Sequence, residues 1–235
     1  MVPATRCVAL PKGVPLGAGA MSFVNPLTAI ALVQQARKNG HRTAVSAAAG
    51  GALGRMIRAQ GALQGLTILN VVRRAAQAEA LRAEGVRYVL ATDEPNFDAD
   101  LAKLCRDTGC RLALDPVAGA TTGRLASALQ PGCEIVIYGG LSDEPLALSP
   151  DTLTYNQLSV RGFWLSKWLE GRSLPQVIRM TGQVMKALRG GFAESRVSRI
   201  IPLEQATVAP AIYAEAMSAG KVLIQIGKED LGLPL

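Results

Sequence analysis

The sequence predicts an α/β fold, a doubly wound parallel sheet of about six strands with helices on both faces. Three observations carry that expectation. Short runs of Val, Ile, Leu and Ala alternate with longer helix-patterned stretches from residue 42 onward. The strand-like runs are apolar at successive positions, the pattern of strands covered on both faces. Of 235 residues, 49% are hydrophobic, 18% charged and 4% aromatic. That balance suits layers packed with Ala, Gly, Leu and Val and does not suit a disordered chain.

The elements follow in order. "NPLTAIALVQQARKNG" (25–40) reads as a helix with Asn25 at the N-cap and Pro26 at the first helical position. "RTAVSAA" (42–48) is the first strand, and "GALGRMIRAQG" opens the next helix. Strands at 66–72, 86–92, 111–117 and 134–140 follow, separated by "RRAAQAEALRAEG", "DADLAKLCRDTG" and "GATTGRLASALQPG". The last two helices stop at Gly109 and at Pro131-Gly132. A long Pro-containing connection leads to a sixth strand, "LSVRGFWL" (158–165), and then a long helix, "SLPQVIRMTGQVMKALRGG". Residues 194–227 read strand, helix, strand. One domain over 1–235 is expected, with residues 1–24 and 195–235 as flanking segments.

Composition excludes several functions. The net charge of +7 suits an anionic partner, yet the basic residues are dispersed and no nucleic-acid-binding signature occurs. Cys7, Cys105, Cys110 and Cys133 form no C-x-x-C pair, and His41 is the only histidine, so no metal site is expected. The cysteines read as reduced thiols of a cytoplasmic protein. The N-terminal "MVPATRCVALPKGVPLGAGA" lacks the unbroken apolar core of a signal peptide, and no stretch suits a membrane span.

"AVSAAAGGALGRM" (44–56) stands where the first strand meets its helix. The dinucleotide fingerprint G-x-G-x-x-G fits there as Ala49-Gly50-Gly51-Ala52-Leu53-Gly54, with Ala in the first glycine's place. Gly51 would admit a pyrophosphate, and Gly54 would let helix and strand approach. Packing alone is the competing explanation of such small residues. The second strand ends in Arg73 and Arg74, with no carboxylate before Glu79. An acid there would accept from ribose hydroxyls, as NAD or S-adenosylmethionine sites require; a guanidinium pair suits a 2′-phosphate. NADPH is therefore the expected cofactor.

"IYGG" (137–140), "GFWL" (162–165) and Lys221 fall where the sheet's carboxyl edge would present ligand contacts, although each alone also reads as a turn, a core aromatic pair and a surface lysine.

"VNPLTA" (24–29), "SAAAGGALG", "NVVRR", "IYGGLS", "RGFWLSKW" and "GKVLIQ" occur in the order found in medium-chain dehydrogenase/reductases. The chain resembles their zinc-free branch, which holds 2-enoyl thioester reductases and quinone oxidoreductases, from about Pro15 to Ile226. That resemblance implies a Rossmann domain binding NADPH. Asn25 would lie near the nicotinamide, and Gly50, Gly51, Ala52 and Leu53 would cradle the pyrophosphate. Arg73 and Arg74 would grip the 2′-phosphate. Tyr138, Gly139, Gly140 and Leu141, with Phe163, Trp164 and Leu165, would line the nicotinamide pocket, and Lys221 would close its far side. It also implies a homodimer through the edge strand near 157–165, a small substrate (an acyl thioester or a quinone), and a cytoplasmic or, in a eukaryote, mitochondrial-matrix location.

One departure accompanies these matches. The family begins with a GroES-like domain carrying the catalytic tyrosine of the enoyl reductases, and Tyr88, Tyr138, Tyr155 and Tyr213 do not match it. No catalytic residue is therefore expected in this chain. A stand-alone NADPH-binding or structural module is the alternative.

Overall fold

A computed structural model describes residues 9–189, 195–215 and 219–233. Cys7, Gly190 and Gly191 at the end of the expected long helix, and Glu194 lie outside the described residues. The chain divides into two compact units, one of Thr28–Gly171 and one of Met1–Leu27 with Arg172–Leu235.

Two helices come first, α1 (Leu16–Ala20) and α2 (Val24–Lys38). The expected N-cap is corrected here. Phe23 supplies the carbonyl that receives the Leu27 N–H (3.3 Å), so Asn25 is the second helical residue and Pro26 the third. Proline is accommodated because an N–H at that position has no intrahelical partner. Ala29, Ile30, Ala31, Leu32, Val33 and Ala36 are all buried, which makes α2 a core helix rather than a one-faced surface helix.

The unit of residues 28–171 is a regular alternation: β1 (Thr43–Ser46), α3 (Ala52–Gln64), β2 (Thr67–Val72), α4 (Ala75–Ala83), β3 (Val89–Ala91), α5 (Phe97–Thr108), β4 (Leu112–Asp115), α6 (Gly119–Ala128), β5 (Glu134–Ile137), α7 (Pro150–Tyr155), β6 (Ser159–Gly162) and α8 (Leu165–Glu170). The strands form one sheet of order β3-β2-β1-β4-β5-β6, parallel at every pairing. On one face Val45, Leu69, Val71, Ala113 and Ile135 pack with Phe97, Leu101 and Cys105 of α5 and Leu125 and Ala126 of α6. On the other, Val72, Val89 and Ala91 pack with Ala78 and Leu81 of α4. The doubly wound sheet of six strands is as expected.

Several boundaries move. The expected strand at 86–92 contracts to β3 because the Val86 N–H closes the end of α4 on the Leu81 carbonyl (3.0 Å). The α6 helix ends at Ala128 rather than at Pro131-Gly132, since the residue before a proline avoids the helical region. The 158–165 strand stops at Gly162, and Trp164 becomes the N-cap of α8. The connection before it holds a helix, α7, whose signal was readable: Ser149 Oγ accepts from the Thr152 N–H (3.1 Å), and Pro150 follows at the first position. Among the described residues the cysteines 105, 110 and 133 are free and buried.

In the other unit, α9 (Leu174–Arg189) buries Met180 and Val184. A parallel pair, β7 (Val197–Pro202) with β8 (Lys221–Gln225), forms a separate two-stranded sheet. A 3₁₀ turn (Leu203–Val208) and α10 (Ala209–Glu215) stand between the two strands in sequence. No described helix is long and apolar enough to cross a membrane.

Candidate functional site

All six strands of the large sheet run the same way, so their carboxyl ends share one edge. The strand order reverses between β1 and β4, and a doubly wound sheet binds its ligand in the crevice outside such a switch point.

The glycine turn leaves β1 at that point. Ala47 N–H reaches the Leu114 carbonyl and Ala49 N–H the Val71 carbonyl, both at 3.0 Å, which ties the turn to both neighbouring strands. Gly51 caps α3 with its own N–H turned back to the Ala48 carbonyl (3.1 Å). The first N–H groups of α3, those of Ala52 and Leu53, have no intrahelical partner and carry the positive end of the helix dipole. The glycines differ in kind. A Cβ on Gly54 would stand 2.5–2.7 Å from the Ala49 backbone, so Gly54 serves the helix–strand contact. A Cβ on Gly50 or Gly51 would meet nothing nearer than 3.6 or 3.5 Å, so the fold does not itself demand glycine at either.

Arg58 escaped sequence reasoning. From inside α3 its Nη1 donates to the Ala49 carbonyl (3.4 Å) and to Asn70 Oδ1 (3.2 Å), bracing the turn against β2. Desolvation lowers its pKa, which the nearby Glu84 carboxylate opposes. Asn70 is buried and donates to the Ile68 (3.0 Å) and Tyr88 (2.9 Å) carbonyls, so its acceptor is left for Arg58. The spacing of an arginine one turn past Gly54 was the only sequence signal.

Arg73 and Arg74 stand exposed at the end of β2, with neither in a salt bridge among the described residues. The Arg74 N–H donates to Gln77 Oε1 (3.1 Å), so the start of α4 is capped by an amide rather than a carboxylate. The Arg73 carbonyl accepts from Thr92 Oγ1 (3.1 Å), which fixes this corner to the end of β3.

Across the switch point, Asp115 is fully buried at the end of β4. Its carboxylate accepts from Val117 N–H (2.7 Å), Ala118 N–H (3.2 Å) and the Thr122 hydroxyl (2.7 Å). Those bonds hold Ala118 at φ 66, a left-handed conformation costly for alanine. Residues 138–142 lie along this turn: Tyr138 N–H binds the Asp115 carbonyl (3.0 Å), Leu141 N–H that of Pro116 (3.0 Å) and Ser142 N–H that of Val117 (2.9 Å). A Cβ on Gly139 would fall 2.8 Å from the Pro116 carbonyl oxygen, while Gly140 faces open space. Burial raises the Tyr138 pKa, Asp115 adds to the rise, and the Ser46 hydroxyl partly offsets it.

Beyond β6, Phe163 is half-buried with its ring tilted against Trp168 at 6.2 Å, Trp164 is 71% exposed and Leu165 is buried. The strand is held by charge: Arg161 pairs with Glu134 and donates to Gln35 Oε1 (3.0 Å), and His41 Nε2 stands 3.4 Å from the second Glu134 oxygen. In the other unit, Lys221 opens β8, with its Nζ 3.3 Å from the Tyr213 hydroxyl and 5.0 Å from the ring centre.

A family model described as zinc-binding dehydrogenase matches residues 48–182, more than half of the chain. The chain belongs to that family. Within it, the chain is the cofactor-binding domain of a zinc-free medium-chain dehydrogenase/reductase. Among the described residues no group of three or more His, Cys, Asp or Glu side chains could hold a metal ion, so these residues do not fit the zinc of the family's description.

Mitochondrial enoyl-[acyl-carrier-protein] reductase of Bos taurus is 28% identical over 203 residues, covering 84% of this chain and 54% of its own length. The chain thus spans about half the length of the curated relatives it matches. A candidate NADPH:quinone reductase from Mesorhizobium loti superposes with a TM-score of 0.81 at 27% identity, covering 95% of this chain and 64% of that one. The quinone oxidoreductase of Thermus thermophilus, whose complex with NADPH has been solved, has a TM-score of 0.75 at 25% identity, covering 96% of this chain and 71% of that one.

Proposed function

We propose that this chain is the NADPH-binding domain of a zinc-independent oxidoreductase that transfers hydride to an activated double bond, that of a 2-enoyl thioester, or to a quinone or enone. The observation that carries the reading is the pair Arg73 and Arg74, exposed at the end of β2 on the sheet edge where the glycine turn opens. A 2′-phosphate dianion matches two guanidinium forks, and no carboxylate follows them in sequence before Glu79. The Ala52 and Leu53 N–H groups take the pyrophosphate, with Gly50 and Gly51 letting it approach. Tyr138, Gly139, Gly140 and Leu141, then Phe163, Trp164 and Leu165, follow β5 and β6, and in this reading they line the nicotinamide pocket.

The cofactor supplies the hydride, and the protein fixes its face and distance. The proton for the α-carbon comes from an acid outside this chain, so the chain alone binds NADPH with little turnover. The names of the relatives support an acyl thioester or a quinone as acceptor, and the word mitochondrial in the enoyl reductases' names supports a mitochondrial-matrix location in a eukaryote.

Calorimetric titration tests the site. The unaltered chain is expected to prefer NADPH to NADH. Each of Arg73→Ala and Arg74→Ala is expected to weaken NADPH about tenfold, as loss of a charge-assisted hydrogen bond implies, and to leave NADH unchanged. Equal affinity for both cofactors in the unaltered chain overturns the reading. Asn25→Ala and Lys221→Ala belong in the same series, with weaker NADPH binding expected for each. Two copies are expected to pair through β6, the last strand on its side of the sheet, whose unpaired backbone groups would otherwise stay bare. A sedimentation mass of one chain at high concentration contradicts that pairing.

A further inference from the structure

Among the described residues at the switch point, the side-chain hydroxyl of Ser46 is buried without a hydrogen bond. Ser46 is the last residue of β1, 0% exposed, and its Oγ has no hydrogen-bond partner among the described residues. The neighbouring Asp115 and Asn70 side chains are already engaged: Asp115 by two N–H groups and a threonine, Asn70 by Arg58 and two carbonyls. A buried hydroxyl without a partner loses its hydration for nothing in return, and such a group calls for a ligand or a bound water.

Strand register says where the hydroxyl sits. Ser46 stands beside Leu114 of β4, and Leu114 beside Val136 of β5. Side chains alternate faces, so Ser46, Leu114 and Val136 form one row, and Tyr138, two residues past Val136, continues on the same face. It is the face opposite Val45, Ala113 and Ile135, which pack on α5 and α6. The Tyr138 phenol lies on this face near the Ser46 hydroxyl, which opposes the rise that burial and Asp115 give its pKa. The two hydroxyls therefore bracket the carboxyl end of β4, where the order of the sheet reverses.

The halves of the sheet assign the ligand group. With Arg73 and Arg74 marking the adenosine 2′-phosphate beside β2, the second mononucleotide of a dinucleotide lies over β4, β5 and β6. We propose that Ser46 is a positioning residue of the cofactor site, its hydroxyl binding, together with the Tyr138 phenol, the nicotinamide-ribose half of the dinucleotide at the crossing from β1 to β4. This rests on the dinucleotide reading of the site and deepens it. Ser46 orients that half, so the face of the nicotinamide turned toward an acceptor follows from a residue outside the glycine fingerprint.

The test pairs two ligands with two readouts on the full chain. NADPH carries the nicotinamide ribose, whereas 2′,5′-ADP ends before it and keeps the 2′-phosphate. Ser46→Ala is expected to weaken NADPH about fivefold to tenfold, the loss of one hydrogen bond, and to leave 2′,5′-ADP within twofold. Ser46→Thr, which keeps the hydroxyl, is expected to recover part of the NADPH affinity. In the absence of ligand, Ser46→Ala is expected to melt at or above the unaltered chain, because an unpaired buried hydroxyl has been removed. Unchanged NADPH affinity, equal loss for both ligands, or a lower melting temperature of the ligand-free variant overturns the assignment. An unaltered chain that binds 2′,5′-ADP and NADPH with Ser46→Ala indifferent to both sinks the Ser46 role alone; an unaltered chain that binds neither ligand overturns the cofactor reading with it.

Discussion

Replacing Gly54 by alanine and Gly51 by alanine separates the two duties of the glycine turn. The new methyl at 54 would lie 2.5 Å from Ala49 Cα, 2.6 Å from its carbonyl oxygen and 2.7 Å from its carbonyl carbon. Ordinary carbon contacts are near 3.5–4.0 Å, so helix and strand must part by about 1 Å. Backbone on both sides cannot rotate away, which places the cost near 3 kcal/mol, the upper end for overpacking. Alanine returns about 1 kcal/mol of helix propensity over glycine, leaving a net loss of about 2 kcal/mol. For a chain of this size that lowers Tm by roughly 4–8 °C. At Gly51 the same methyl meets only Ala48 O at 3.5 Å, and φ −76, ψ 171 is open to any residue. Gly51→Ala should therefore change Tm by less than about 2 °C, as a surface substitution does, while weakening NADPH. Differential scanning calorimetry and a cofactor titration on both variants provide the readouts. A Gly54→Ala chain that melts with the unaltered protein, or a Gly51→Ala chain that loses as much stability, refutes the reasoning.

The remaining expectations concern the groups around that turn. The folded state holds the Tyr138 phenol neutral by burial, with a pKa above its ordinary value of 10.0. The stability this contributes is complete below about pH 10 and is lost as pH rises above it, because only the unfolded chain then releases the proton. Tyr138→Phe should flatten the alkaline fall of the urea midpoint; an identical alkaline limb in both proteins contradicts the burial. Glu134 joins Arg161 of the edge strand to His41, and Glu134→Gln removes the charge from a largely buried pair. A loss of about 1–2 kcal/mol is expected after allowing for the exposure of Arg161, read as a lower urea midpoint at constant slope and earlier amide exchange in β6. An unmoved midpoint would show that β6 does not depend on the pair.

Much of the sheet was legible in the one-dimensional pattern. Mainly apolar short runs such as "TILNVV" and "EIVI" read as strands covered on both faces, and the intervening amphipathic stretches supply the helices that cover them. Less legible were elements whose signals are brief. The helix of Pro150–Tyr155 rests on one Ser-Pro start, and the β7–β8 pair looks in sequence like a continuation of the same alternation although it forms its own sheet. In the candidate site, the glycines could be read from their fingerprint spacing at a strand–helix junction, and the arginines because a cation at the positive end of a helix dipole is poorly placed without an anion. Arg58, Asn70, Asp115 and Ser46 were not, because an arginine in a helix or a serine in a strand is unremarkable until its neighbours are known.

By itself, then, the sequence determined the class of fold and marked a glycine turn and an arginine pair as candidates, since periodicity, backbone freedom and charge are local properties. The tertiary structure alone decided which carbonyl Gly139 must pass and which hydroxyl is left over. Those distinctions depend on what stands across from a residue: the Pro116 carbonyl against Gly139 and, among the described residues, no hydrogen-bond partner for the hydroxyl of Ser46. Distances between strands far apart in the chain set them, and no window of sequence contains those distances.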